Sequence, residues 1–388
     1  MFHHLNQFIQ YRVVRATGLV FIAIGLIFGT WTAFIPTIKA RFALDEAQLG
    51  LLLLCLPAGV ILMNPFSVPL LRFFGASRLT RLFVGVSGIV FIFPVLMPQV
   101  WLVGVVLFLA GISFSITNIA MNTCASILEQ KAGRNIIASC HGLWSLGAML
   151  GAIITSTLAG WGIPPAGAMG MLCILIGFLS WWIKKPLMDL PEEDYTTTTE
   201  NKKASGFIWP NKALWLLITI SLCVYLTEGT MADWSAVYMR ELLQRPESQV
   251  GLGFGIYAFF MASGRFLGDE LIAQVGSKRV LQYGGGVAAL GFLLLVLQPL
   301  FGAILLGFAM VGMGVSLGAP ILYATAAKVP GLPPGAGLAT MNTFAMGAFL
   351  GGPALIGFLA KWQGLAFAFG IVGLCAFLWA LQARWMKG

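Results

Sequence analysis

The sequence predicts an all-α membrane protein with twelve transmembrane helices arranged as two six-helix halves. Three observations carry this reading. Of 388 residues, 59% are hydrophobic and 10% charged, and the mean hydropathy is +0.89; a soluble domain carries about 25% charged residues. Apolar windows of the roughly 20 residues needed to cross a bilayer recur along the whole chain. One long hydrophilic stretch divides these windows six and six, and matching residues recur on its two sides at a constant spacing.

The windows follow from where polar residues interrupt the apolar runs. The first, 13–35, lies between Arg12 and the pair Lys39 and Arg41. The second, 47–71, stops at Arg72, and the third, 80–98, begins beside Arg78 and Arg81. Lys131 and Arg134 separate the fourth, 100–127, from the fifth, 136–160, and the sixth, 165–183, ends at Lys184 and Lys185. The seventh, 213–237, runs from Lys212 toward Arg240. The eighth, 250–268, and the ninth, 279–298, flank Gly276-Ser-Lys278-Arg279. The tenth, 300–326, precedes Lys328; the eleventh, 336–360, stops at Lys361; the twelfth, 363–383, stops at Arg384.

The distribution of cations orients the chain. If the N-terminus is cytoplasmic, then of 23 Lys and Arg residues only Lys39, Arg41, Arg240, Arg245 and Lys361 lie at outward ends. Positive charge concentrates on cytoplasmic loops, so both termini are expected inside, and the net charge of +9 calls for no nucleic-acid partner. Met1 to Tyr11 is polar, and the apolar run after it is too long for a signal peptide and lacks a small-residue cleavage site; the first span is expected to be retained.

Several chemistries are excluded. Cys55, Cys124, Cys140, Cys173, Cys223 and Cys375 all fall in spans without CxxC or Cys/His spacing, as packing residues do. His141 is the one histidine in a span, so no zinc site can be assembled. Gly284-Gly-Gly286 lacks the Lys-Ser/Thr of a phosphate-binding loop. No metal, cofactor, catalytic centre or ATP-driven step is expected.

Residues 184–212, with Pro186, Pro191, Glu192-Glu-Asp194 and Thr196 to Thr199, cannot bury enough apolar surface to fold alone and are expected to form a cytoplasmic linker between halves at 1–183 and 213–388. Across it, at an offset of 201, Gln48 and Gly50 match Gln249 and Gly251; Gly75 and Arg78 match Gly276 and Arg279; Gly111 and Ser115 match Gly312 and Ser316; Gly151 matches Gly352. Two parallel repeats about an axis along the membrane normal form a transporter architecture with the solute bound near the midplane between them.

With Gly264-Arg-Phe-Leu-Gly268-Asp269-Glu-Leu-Ile-Ala-Gln-Val-Gly276-Ser-Lys278-Arg279, repeated weakly as Arg72-Phe-Phe-Gly75-Ala-Ser-Arg78, the chain resembles the major facilitator superfamily over essentially its whole length. The resemblance implies that Gly264, Arg265, Asp269, Gly276 and Arg279 belong to a gating loop. The family's acid before the second glycine is missing from both copies, where Ala273-Gln274 and Arg72-Phe73 stand; Arg265 and Asp269, at i and i+4, are placed to pair instead. Asn118-Ile-Ala-Met-Asn122, His141-Gly-Leu-Trp-Ser-Leu-Gly147 and Glu228 to Trp234 are similar to a bacterial branch near the fucose-permease-like sugar transporters, which implies the bacterial inner membrane.

Of 14 acidic residues, only Glu228 and Asp233 fall inside a window, the seventh. A carboxylate in hydrocarbon costs at least ~2.5 kcal/mol and is rare there without a function. Glu228 lies about 5 Å from the middle of its span and Asp233 about 12 Å toward the outside, about 140° apart around a regular helix; a break at Gly229 would loosen that constraint. Glu228 is read as a proton-carrying or solute-binding carboxyl, or else as a structural partner of Asn or Ser. Asp233 is read as a second proton-coupling acid, or else as a helix cap or a partner of Lys39. His141 and Asn122 lie at similar depth on the cytoplasmic side, so His141 joins the proton-coupling set unless an Asn-His hydrogen bond merely ties helices together. Asn118 and Asn122 share a helix face, and Asn342 falls 201 residues after His141. These three amides, with the aromatic faces of Trp31, Trp144 and Trp234, make up the expected solute site; the tryptophans also suit interface anchors.

No Lys or Arg falls in the core of a window, Arg265 being nearest, so anionic cargo is disfavoured. The expected function is secondary transport of a small neutral or cationic solute, by proton symport of a sugar-like or small polar compound. Proton-coupled efflux of amphipathic compounds and a non-transporting sensor or scaffold are the alternatives. The expected partners are the solute, protons and the lipid bilayer, with the chain a monomer.

Overall fold

In a computed structural model, residues 11–132, 136–190, 209–297, 300–332 and 336–386 are described, together with the backbone but not the side chain of Asp269. Among them are 12 helices long and apolar enough to cross a membrane: Arg12–Arg41, Glu46–Phe74, Ala76–Leu96, Val100–Ala132, Ile137–Gly160, Pro165–Met188, Lys212–Leu242, Glu247–Gly268, Ser277–Leu297, Phe301–Ala326, Ala336–Gln363 and Leu365–Trp385. They form the two six-helix halves of the predicted fold.

Every window corresponds to a helix, but several helices outrun their windows. The first continues through Pro36 to Arg41, the fourth reaches Ala132, and the helix of the eighth span continues to Val275. Backbone hydrogen bonding does not stop where hydropathy falls, so polar helix ends escape an apolar window. The sixth helix runs past Lys184 and Lys185 to Met188, inside the stretch read as linker. Residues 191–208, most of that stretch, lie outside the described residues.

Local chemistry sets the helix ends. Asp45 and Gln48 form a reciprocal capping box at the start of the second span, with Oδ1 accepting from the Gln48 amide at 2.8 Å and Gln48 Oε1 accepting from the Asp45 amide at 3.0 Å. Asn211 caps the seventh by accepting from the Leu214 amide at 2.9 Å. The seventh helix passes Gly229 without a break and closes in a π turn at Tyr238–Leu242, so Glu228 and Asp233 do point in different directions. The tenth span is interrupted at Ser316 and Leu317.

The sequence repeat is also a repeat of backbone geometry. Gly75 and Gly276 end the second and eighth spans with φ/ψ of 77/148° and 85/145°, a region other residues adopt with strain. A Cβ at Gly111 would fall 2.0 Å from the Leu56 carbonyl oxygen, and one at Gly312 would fall 2.1 Å from that of Tyr257. Between the halves, Gly50 lies against the Pro353 carbonyl and Gly251 against that of Ala152. Each pair is displaced by the same 201 residues.

The first and fifth spans pack through Gly25, Gly29, Gly147 and Gly151, the small-xxx-small pattern that lets helix backbones meet in a membrane. A Cβ at Gly29 would lie 1.9 Å from the Ala148 carbonyl oxygen. Gly29→Val is therefore expected to cost about 3 kcal/mol, read as a fall in the melting temperature of the purified protein. An unchanged melt would show that the helices separate here.

Candidate functional site

Between the halves lies a cavity of about 710 Å³, within the range that holds small-molecule ligands. Its wall combines Asn118, Asn122, Glu129, His141 and Trp144 of the first half with Tyr225, Glu228, Arg265 and Tyr323 of the second. It extends to Glu129, Ile137 and Ile272, near the helix ends on the cation-rich face.

The polar groups are held mostly by their own helices. Asn122 donates to the Asn118 carbonyl at 2.7 Å and to its Oδ1 at 3.0 Å, so its amide is engaged along the fourth helix, and no Asn122–His141 bond occurs among those described. The His141 ring meets Phe21 edge-on, with centroids 5.5 Å apart. Trp144 stacks obliquely on Phe28 at 5.5 Å. Tyr225 donates to the Tyr323 hydroxyl at 2.5 Å, and Tyr323 donates to Asn342 Oδ1 at 3.1 Å. Asn342 thus stands one hydrogen bond behind the wall. Glu228 Oε1 is buried without a hydrogen-bond partner.

Arg265 corrects the sequence reading. Its Nη1 donates to Ser145 Oγ at 2.9 Å and to the His141 carbonyl at 3.4 Å, which carries the guanidinium from the eighth span to the fifth. The helix runs on to Val275, about 15 Å beyond Arg265, so the residue is well inside rather than near an end. A fixed cation does face the cavity, and the ground for disfavouring anionic cargo falls away. Of the rest of the expected gating segment, Gly264, just before Arg265, packs on Ser316, while further along Gly276 makes the turn and Arg279 is exposed. The Asp269 side chain is outside the described residues, so the Arg265–Asp269 pair is not described.

Three expected residues stand away from this cavity. Trp31, 2% exposed, packs edge-on to Phe91, and Trp234, 0% exposed, is core. Their aromatic faces suit a sugar-like solute, but both rings are buried in packing. Asp233 makes no described hydrogen bond or ion pair and does not line the cavity; five residues beyond Glu228, it faces elsewhere. Lys39 is not its partner. Lys39, 7% exposed, binds Glu46 at 2.9 Å and Glu241 at 2.5 Å.

That lysine belongs to a closure on the face opposite the cavity's cation-rich end. Lys39–Glu241 joins the halves, as do Lys361–Asp45 at 2.9 Å and the bond from Arg240 to Thr37 Oγ1 at 3.3 Å. The Asp45 carboxyl, in the turn before the second span, is held below the usual carboxylate range by the Gln48 amide and then by Lys361. The sequence reading missed Tyr225, Tyr323 and Glu129. Glu129 accepts from the Ile136 and Ile137 amides at 2.7 and 2.9 Å; it falls just past the fourth apolar window and so outside the in-span acids.

The geometry makes a prediction about access. In a cysteine-free background, Asn122→Cys is expected to react with an impermeant thiol reagent from the cation-rich face and to be protected severalfold when that side closes around a ligand. Equal labelling with and without ligand, or none from either face, would contradict the placement.

Residues 17–334 match the sequence profile of the Major Facilitator Superfamily. The chain is 32% identical over 374 residues to an uncharacterized transporter of Sinorhizobium fredii, across 96% of this chain and 98% of that one. Its fold resembles a mutant form of the nucleoside transporter NupG, with a TM-score of 0.75 and 14% identity over 97% of this chain and 100% of that one. It also resembles a D-xylose-proton symporter, with a TM-score of 0.70 and 15% identity over 97% and 98% of the two chains. At these identities the structural likenesses speak to the fold alone.

Proposed function

Because the chain belongs to the major facilitator superfamily, we propose that this transporter imports a small polar, sugar-like solute with protons by alternating access, holding the solute in the central cavity and the proton on Glu228. The observation that carries the reading is the Glu228 carboxyl itself: it lines the cavity between the halves, and its Oε1 is buried with no donor. Such an oxygen needs a proton or an ionic partner from the solute, since an unmatched buried charge costs several kcal/mol. A carboxyl that must be satisfied by what enters the cavity links occupancy to protonation.

In this reading the halves are residues 1–183 and 213–388, joined by a cytoplasmic linker at 184–212, with both termini inside a bacterial inner membrane and the chain acting as a monomer and not as an enzyme. The cation bias supports the orientation. The cavity then extends toward the cytoplasm, and the ion pairs around Lys39 close the outside. Asn118, Asn122, Tyr225 and Tyr323 supply hydrogen bonds for solute hydroxyls, and Trp144 an aromatic face. His141 stands beside the path as a second proton-accepting side chain.

Proteoliposomes enclosing a pH indicator test the coupling. With a panel of polyols, sugars and sugar acids added outside, symport predicts acidification of the lumen with the transported member. Alkalinisation would establish proton antiport, and net uptake of labelled solute with no pH change would refute proton coupling.

A further inference from the structure

We infer that the solute carries a carboxylate bound by Arg265 and crosses together with one proton on Glu228, so that the cargo is a hydroxylated monocarboxylate of the sugar-acid class. The inference rests on the reading of Glu228 as the proton site and adds the recognition of charge. Arg265 is a cation inside a membrane protein, yet its described partners are a serine hydroxyl and a backbone carbonyl, both taken by Nη1. Among the described residues no carboxylate lies within 4 Å of it. A guanidinium has five donors in a planar fork that matches a carboxylate in two parallel bonds, and here the fork faces a cavity large enough for a small ligand.

The second charge fixes the stoichiometry. Glu228 shares that cavity without forming an ion pair with Arg265. The titratable groups around it are Glu129 and His141 of the first half and Tyr225, Tyr257, Arg265 and Tyr323 of the second. With a solute carboxylate on Arg265, an ionised Glu228 would confront a like charge in a site of low dielectric. A proton on Glu228 removes that repulsion, and one proton then accompanies one carboxylate. A zwitterion would instead place its ammonium on Glu228 and displace the proton, and a neutral sugar would leave the Arg265 fork unused. With the Asn122 amide donors and the Tyr225 and Tyr323 protons already engaged, the Asn122 carbonyl oxygen and the Tyr225 hydroxyl oxygen accept from the solute's hydroxyl groups, and the Asn118 amide donates to them. Because Arg265 sits on the eighth span and bonds to the fifth, a ligand held there touches both halves.

The full-length protein in nanodiscs, titrated with hydroxylated monocarboxylates of three to seven carbons and with matched polyols, aldoses, amino sugars and amino acids, tests this. The acids are expected to bind. Arg265→Gln should weaken them by about 10- to 100-fold, the worth of a charge-assisted bond, and Arg265→Lys, which keeps the charge but not the fork, by less. Glu228→Gln, a mimic of the protonated carboxyl, should keep acid binding and abolish its dependence on pH. Monodisperse elution checks folding, with Arg265→Lys standing in if Arg265→Gln fails that check. Binding only of neutral, cationic or zwitterionic members, no binding of any acid, or acid binding indifferent to both Arg265 variants would overturn the inference. Acid binding that needs Arg265, together with proton-driven uptake that survives in Glu228→Gln, would instead refute the coupling role of Glu228 and leave carboxylate recognition standing.

Discussion

Glu228→Gln is expected to abolish accumulation driven by a pH gradient, by about 100-fold or to background, while counterflow of the same solute stays within a few-fold of the unaltered protein. Exchange requires the cavity and the movement of the halves but no net proton transfer, whereas accumulation requires a group that gains and loses a proton. The amide is close to the carboxyl in shape and cannot titrate, so the two measurements separate coupling from folding. The buried, unpartnered Oε1 is the reason for expecting so large an effect: losing an essential proton carrier removes the step rather than weakening it. Asp233→Asn, on the same helix but outside the cavity lining, is expected to retain most of the accumulation. If Glu228→Gln accumulates solute normally, the proton travels elsewhere.

Lys39→Ala is expected to release the closure on the opposite face. It removes the cation from between Glu46 and Glu241, leaving two carboxylates that had shared it. These carboxylates are about a third exposed, their side chains retaining 30% and 37% of their accessibility, so solvent screens part of the loss and about 1 to 2 kcal/mol is a fair expectation. Because one of them belongs to each half, the loss falls on the state in which this face is closed, shifting the populations by roughly tenfold. A cysteine at Thr37, the residue bonded to Arg240 across the halves, should then react about ten times faster with impermeant reagent from that side. An unchanged rate would show that helix packing at Gly50 and Gly251 holds the face shut without the charges.

Much of the fold was legible because a bilayer imposes one strong rule: roughly 20 apolar residues per crossing. Existence and order of the spans follow from it, and their ends do not. The misplacement of Arg265 has this origin, since the eighth window stops at 268 while the helix runs to Val275. For the site, depth arithmetic brought Asn122 and His141 to a similar level, and the structure gathers both with Asn118, Trp144 and Glu228 at one cavity. The same arithmetic says nothing of direction around a helix. Trp31 and Trp234 therefore turned into packing, and Tyr225 and Tyr323, joined at 2.5 Å across helices distant in sequence, carried no local signal. Lys39 was counted as an outward end charge; only the extension of the first helix to Arg41 brings it to Glu241.

Alternating exposure of the cavity is tested most directly by two distances, measured between spin labels in a cysteine-free background. Arg78 and Arg279 occupy equivalent exposed positions on the cation-rich face, and Trp161 and Trp362 equivalent exposed positions on the other. From the unaltered protein to Lys39→Ala, the distance between labels at 161 and 362 should lengthen while that between labels at 78 and 279 shortens. Distances that stay fixed in both pairs, or that lengthen together, would contradict alternating access.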